Sequence, residues 1–541
     1  LLTYQRKDIS IEERTKDLLS RMTIEEKIAQ MICIWGEKKN SLLNEEGNLD
    51  LSLLLKKYPN GIGQIARLSD TANGLNPYEM VSLSNKIQKI FIEQTRLGIP
   101  VIFHEECLHG LAGKDSTSYP QPIALASTFN PDLIEKIYSS IAEEVRARGA
   151  HQALTPVVDV AREPRWGRVE ETFGEDPYLV SRMGIAAVKG FQGDGEFNDY
   201  KNLIATLKHF AAHGQPESGT NCAPVNVSER LLRDTFLYPF KAVIKEANAM
   251  SVMASYNEID GVSSHANKWL LRDVLRNEFG FKGFVVSDYY AITELNEREE
   301  AISHSMAYDK KEAAKLAVEA GVNIEFPDPD CYPLLIDLIN ENKIDISLID
   351  ELVYELLYYK FKIGLFDNPY TPENLISFEL KLDEDRKLAL ESALQSLVLL
   401  KNENNYFPLD INKKKKIALI GPNANRVLLG GYSGKPKYYV TVLDGLKEKT
   451  ENTNVEILYA EGCRLTIGGS WEQDEIVFAT DEENEILIKE AIEVAKNADD
   501  IILVLGDNEQ ISREAWNKNH MGDRADLNLF GYQNKLAEEI L

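Results

Sequence analysis

The sequence predicts an α/β protein. A (β/α)8 TIM-like barrel is expected over residues 1–366, a linker over 367–395, and an open α/β sandwich domain over 396–541. Three observations predict this. Six short apolar runs in the first 330 residues each end in a knot of polar residues. Segments of helical period separate them, and alternating strands and helices imply parallel pairing. Past a proline-bearing stretch, the alternation restarts with three further apolar runs.

The N-terminus opens with two expected capping boxes, Ser10 with Glu13 and Thr23 with Glu26, each ahead of an apolar-periodic run. The six runs lie at 99–106, 153–168, 202–210, 249–257, 283–290 and 321–326. Their apolar stretches are too short for ordinary helices and rich in Val, Ile or Ala, as expected of strands buried on both faces. A helix is predicted from the Asn130-Pro131 step to Gly149. Proline suits the first helical position, and glycine can take the left-handed conformation that stops a helix. In a (β/α)8 barrel all strands end at one mouth, where active sites are built. The polar knots fall at those ends and contain Glu105, Glu106, Arg165, Arg168, Lys208, His209, Tyr256 and Asp288.

Residues 367–384 hold Pro369 and Pro372 and read as linker, with a helix expected over 385–400. Runs at 413–421, 455–462 and 499–507 predict three parallel strands, with a helix over 485–497. Sheets of this kind usually carry about five strands. The expectation is therefore of a chain truncated inside its second domain.

The 541 residues exceed what one core supports, so two or more domains are expected. The formal net charge of −26 argues against nucleic acid or an anionic membrane surface as partner, since both need a basic face. The five cysteines are scattered without a C-x-x-C pair, which disfavours a disulfide framework or structural zinc. No run is long enough to span a bilayer as a helix. The first residue is Leu, so the compartment stays open, cytoplasmic or exported.

Asp288 ends the run VVSDYY. A carboxylate at the end of a buried strand is costly unless satisfied or used, so it is a nucleophile, a base or a helix cap. Lys208 and His209 end NLIATLKHF and could hold a neighbouring carboxylate ionised or form a structural ion pair. In PRWGR, Arg165 and Arg168 can fork onto hydroxyls or carboxylates. Of the two, Arg168 is assigned to the scaffold, as are His213, Glu175 and Asp176. In HEECLH the histidines stand at 104 and 109, the wrong spacing for a zincin helix, so no metal site is expected. Glu509 and Glu514 follow the last visible strand, on a loop that could reach over the barrel mouth. No phosphate-cradling glycine motif is present, and no cofactor is expected.

Taken in chain order, HEECLHG, PRWGR, KHF, ASYN and VVSDYY resemble the motif set of the family 3 glycoside hydrolases, across nearly the whole chain. The resemblance implies a barrel joined to an α/β sandwich with the active site between them. It implies Asp288 as nucleophile and Glu106, Arg165, Lys208, His209 and Tyr256 as the sugar pocket. The acid/base is implied to be Glu514 from the second domain, with Glu509 in reserve. Tyr432 in GGYSG resembles an aromatic flanking the leaving sugar. Many relatives place the acid a few residues before an Asp-Arg pair; here Asp523-Arg524 lies nine residues beyond Glu514, so a longer loop intervenes. The implied activity is that of an exo-acting, retaining β-glycosidase on terminal β-D-xylosyl or β-D-glucosyl residues of an oligosaccharide or aryl glycoside. Many glucose-cleaving relatives have Asp where Glu106 stands, which tilts the expectation toward β-xylosides. KHFAAHG lacks the Asp–His pair of the N-acetylglucosaminidase branch. A glycoside phosphorylase and a non-catalytic sugar-binding relative are the alternatives. A homodimer is left open.

Overall fold

The computed structural model describes residues 2–197, 199–298, 303–376 and 382–541. Seven parallel strands pair in chain order: β1 (Cys33–Ile34), β2 (Gln64–Ala66), β3 (Ile102–Glu105), β4 (Gln152–Ala153), β5 (Ile204–Phe210), β6 (Ser251–Ala254) and β7 (Phe284–Val286). Residues 322–326 take the eighth position. Ile324 bridges Val286 and Glu325 bridges Ile32, both in parallel, so the sheet closes on itself as a (β/α)8 barrel.

Local chemistry sets the element ends. Ser10 accepts the Glu13 amide at the start of the helix Ile11–Arg21. Of the two expected boxes, Thr23 with Glu26 forms the reciprocal pair. Asn130 caps Pro131–Ala147, and Gly149, at φ 95°, turns the chain toward β4. Asp176 caps Pro177–Gln192 by accepting the Leu179 amide.

Two expectations need correction. The run 153–168 pairs only at its start. Pro156 has no N–H to give a ladder, and the chain touches the sheet again only where Val157 bridges Lys208. The helix expected over 385–400 spans Leu382–Ser396, and Leu397, Val398, Leu399 and Leu400 follow it with exposed side chains. Residues 377–381, within the expected linker, lie outside the described residues.

The barrel interior is partly polar. The Gln152 amide donates to Thr206 Oγ1 (2.8 Å), and its carbonyl accepts from Gln64 Nε2 (3.0 Å). Gln64 Oε1 lies 2.8 Å from His104 Nδ1, and His104 Nε2 lies 3.0 Å from the Tyr289 hydroxyl. Because Gln64 Oε1 can only accept, Nδ1 carries the proton and Nε2 accepts from Tyr289. This one-directional chain anchors the residue that follows Asp288.

The second unit is a three-stranded parallel sheet in the order β9 (Val455–Ala460), β8 (Lys415–Ile420), β10 (Asp500–Leu503). The helices Val442–Thr450, Asp481–Lys496 and Gln533–Ile540 flank it. It has small cores of its own around Ile420 and Leu419, separate from the barrel core. Its loops rest on the barrel mouth. Gln121 Nε2 donates to the Leu429 and Gly431 carbonyls (2.9 and 3.0 Å), and the Gly431 amide donates to Glu170 (2.9 Å).

Candidate active site

The parallel barrel strands share one mouth beneath the second unit's loops, and four of them deliver predicted polar residues. β3 leads into Glu106, β5 ends in Lys208 and His209, β6 leads into Tyr256, and β7 leads into Asp288. Lys208 Nζ lies 3.1 Å from Glu106 Oε2, with both side chains buried. The neighbouring Glu105 turns away to Ser69, accepting from its amide (3.0 Å) and its hydroxyl (2.6 Å).

Asp288 Oδ1 accepts the Tyr289 amide at 2.8 Å. Its Oδ2 is buried without a hydrogen-bond partner among the described residues and lies 3.7 Å from His209 Nε2. Burial pushes the Asp288 carboxyl up to about 7, against the pull of Arg168 and Lys208. A carboxyl with one oxygen unpartnered among the described residues thus lies beside His209.

The two arginines of PRWGR, Arg165 expected in the pocket and Arg168 in the scaffold, sit in different surroundings. Arg165 forks onto Glu163 two residues back, and its side chain is 36% exposed. Arg168 is 1% exposed and occupies the centre of the cluster. It forks onto Glu171 (2.8 and 2.9 Å), reaches His209 Nε2 at 3.0 Å and His213 Nε2 at 3.3 Å, and lies 2.9 Å from Glu514 Oε1. His213, assigned to the scaffold, therefore touches the central guanidinium directly. The difference has a simple cause. A buried guanidinium must fill its fork with acceptors, and only the position one residue after Gly167 faces Glu171 and the two histidines.

Asp159 is the residue that sequence reasoning missed. Its Oδ2 accepts from His209 Nδ1 (2.7 Å) and from the His209 amide (3.2 Å). With Nδ1–H committed to Asp159, Nε2 presents its lone pair to Arg168. Burial pushes the Asp159 carboxyl up to about 8 and drives the His209 imidazole well below its ordinary value. Its position in a run expected to be a strand hid it. The only available signal was an acid within an otherwise apolar stretch.

From the second unit, Glu514 follows β10 and points into the cluster. The Tyr432 hydroxyl donates to its Oε2, and Arg168 meets its Oε1. The Tyr432 ring lies under Lys208 Nζ (5.0 Å) and beside Trp471 (5.1 Å). Glu509 lies elsewhere. It faces Arg426 and Glu170, and Oε2 is buried without a hydrogen-bond partner among the described residues. Tyr256 donates to the Tyr289 carbonyl at 3.0 Å, bracing the backbone after Asp288. His104 and His109 make separate contacts: His109 meets the Tyr119 carbonyl (2.7 Å) and Ser433 Oγ (2.9 Å).

Among the carboxyls of the cluster, Asp288 from the barrel and Glu514 from the second unit are linked through the Arg168–His209 contact. Residues 23–358 match the glycosyl hydrolase family 3 N terminal domain, and residues 397–541 match its C-terminal domain. A beta-xylosidase of Formosa agariphila is 42% identical over 467 residues, 82% of this chain and 61% of that protein. The structure of a β-glucosidase from Erythrobacter marinus superposes with TM-score 0.91 at 35% identity, covering 99% of this chain and 71% of that one. A β-glucosidase from Listeria innocua in complex with glucose superposes with TM-score 0.81 at 32% identity, covering 98% of this chain and 68% of that one. The chain spans about three fifths of the length of the Formosa relative. Two matched domains in order, joined across one cleft, make the assignment plain: the chain belongs to glycosyl hydrolase family 3.

Proposed function

We propose that this protein is an exo-acting, retaining β-glycosidase that removes terminal β-D-xylosyl or β-D-glucosyl residues. One observation carries the reading. Asp288, with a free buried oxygen, and Glu514, from the other domain, meet the same cationic and imidazole cluster. In a double displacement two carboxyls flank the scissile bond. Asp288 Oδ2 attacks the anomeric carbon while Glu514 gives a proton to the departing oxygen. A glycosyl ester forms on Asp288 and the C1–O bond to the leaving group breaks. Glu514 then takes a proton from water, water oxygen bonds to C1, and the ester oxygen leaves as the Asp288 carboxylate. Glu106, Lys208, His209 and Arg168 would take the sugar hydroxyls, and contacts that tighten in the oxocarbenium-like state lower the barrier. Tyr432 would flank the leaving group.

The Formosa relative is named a xylosidase and the two structural relatives are glucosidases, so both sugars belong in the proposal. Glu106 supports preference for the pentoside. Its longer side chain, held by Lys208, takes space that a C6 hydroxymethyl would need.

The test uses p-nitrophenyl β-D-xyloside and β-D-glucoside, with proton NMR of the first sugar released. The β-anomer appearing first supports double displacement. The α-anomer first, or turnover surviving Asp288→Asn, defeats the proposal.

A further inference from the structure

We propose that Asp523 is a positioning residue: it clamps the loop that bears Glu514 onto the barrel mouth and so sets the distance between the two carboxyls. The inference rests on Glu514 being the acid/base.

The loop between Asp507 and Arg524 is long and carries Glu514 near its middle. Loops of this length without secondary structure of their own need specific anchoring. Much of that anchoring lies within the second unit. The Arg524 guanidinium pairs with Asp507, closing the loop at its base. The Arg513 guanidinium donates to the carbonyls of Trp471 (2.9 Å), Gln473 (2.6 Å) and Met521 (3.0 Å). These contacts shape the loop but leave its seat on the barrel undetermined.

Asp523 supplies that seat. Its Oδ1 accepts the Gly167 amide at 2.8 Å and its Oδ2 accepts the Asn221 amide at 2.7 Å. Gly167 immediately precedes Arg168. Asn221 in turn donates from Nδ2 to the Ala515 carbonyl (2.9 Å), the residue after Glu514, and accepts from Trp166 Nε1 (2.7 Å). The Arg524 amide donates to the Arg165 carbonyl at 2.8 Å. The carboxylate therefore ties the residue before Arg168 to the residue after Glu514 through one shared neighbour. The two backbones meet without side chains between them. A Cβ on Gly167 would lie 2.0 Å from the Arg513 carbonyl oxygen and 2.5 Å from that of Gly522. Two backbone N–H donors from separate barrel loops need two acceptor oxygens, and a carboxylate has both. An amide offers one acceptor and turns an N–H against the other donor.

A loosened clamp leaves Asp288 and the sugar contacts in place but lets Glu514 drift. A misplacement near 1 Å costs on the order of 10²-fold in rate. The loss falls on the step that needs the proton. Leaving groups that depart unaided escape it.

The test measures kcat/KM, which reports the glycosylation step, for wild type, Asp523→Asn, Asn221→Ala and Glu514→Ala. The substrates are aryl β-xylosides with leaving groups from about pKa 4 to about pKa 10. For Asp523→Asn we expect losses of on the order of 10²-fold on the poorest leaving groups and within about threefold on the best. Glu514→Ala should give the same pattern, larger. Asn221→Ala, which keeps the Asp523 contacts to the backbone, should give it smaller, and it carries the test if Asp523→Asn does not fold. A uniform loss across all leaving groups in the folded clamp variants, with Glu514→Ala still selective, overturns the inference and leaves the acid/base reading standing. Absence of selectivity in Glu514→Ala overturns that reading, and the inference with it.

Discussion

Asp288→Asn should stabilise the protein while it abolishes turnover, and the gain should grow with pH. The carboxyl is 6% exposed, and burial pushes it up to about 7 from an ordinary 3.8. Between those values the unfolded chain has released its proton while the folded chain keeps it. The folded state binds more protons there, so rising pH works against folding across the window from about 4 to about 7. Above that window the whole penalty stands. A displacement of about three pH units, at 1.36 kcal/mol each, amounts to about 4 kcal/mol. Asparagine keeps the neutral shape at every pH, and its carbonyl can still accept the Tyr289 amide. The variant should therefore exceed wild type by only about 1 kcal/mol near pH 4.5 and melt several degrees higher at pH 8. The measurement is the difference in melting temperature between the two proteins at pH 4.5, 6, 7 and 8, in which other titrating groups cancel. A difference that does not widen with pH would refute the reasoning, because it would mean that Asp288 is solvated or fully paired in the folded protein.

Arg168→Lys should cut kcat/KM by about 10²-fold or more, because it strips a buried fork from Glu171 and His209, whereas Arg165→Lys should stay within about threefold. Aryl xyloside kinetics on the two variants checks both. Asp159→Ala leaves the Nδ1–H of His209 without its acceptor and loosens the ring against Arg168. A fall in kcat/KM of about 10²-fold should accompany a shift of the His209 ring resonances in the nitrogen-15 spectrum. The kcat/KM profile of wild type should lose activity below about pH 7 as Asp288 protonates, and Lys208→Met should move that limb to higher pH. Glu106→Asp should raise the glucoside-to-xyloside ratio of kcat/KM by about tenfold, the worth of one methylene of space.

Much of the barrel was legible because its signals are local. Caps such as Thr23 with Glu26, and Asn130 ahead of Pro131, depend on residues three apart. The apolar runs that became β3, β5, β6 and β7 mark strands buried on both faces, and parallel pairing then puts Glu106, Lys208, His209, Tyr256 and Asp288 at one mouth. β1 and β2 escaped notice because two- and three-residue strands carry no periodicity to read. The run 153–168 misled because its backbone contacts with β5 stop at Val158 while the apolar pattern continues to Ala161.

The amino-acid order by itself determined the fold class, the capped helix starts at Thr23 and Asn130 and the strand-terminal side chains, since each follows from chemistry within a few residues. Only the folded molecule decided which guanidinium of PRWGR is central, that Asp159 sets the His209 tautomer, and that Glu514 rather than Glu509 meets Asp288's neighbours. Those choices turn on partners far apart in the chain, Arg168 with Glu514 and Asp523 with Gly167. A buried charge settles where its partners converge, and that convergence exists only once the two domains have closed on each other.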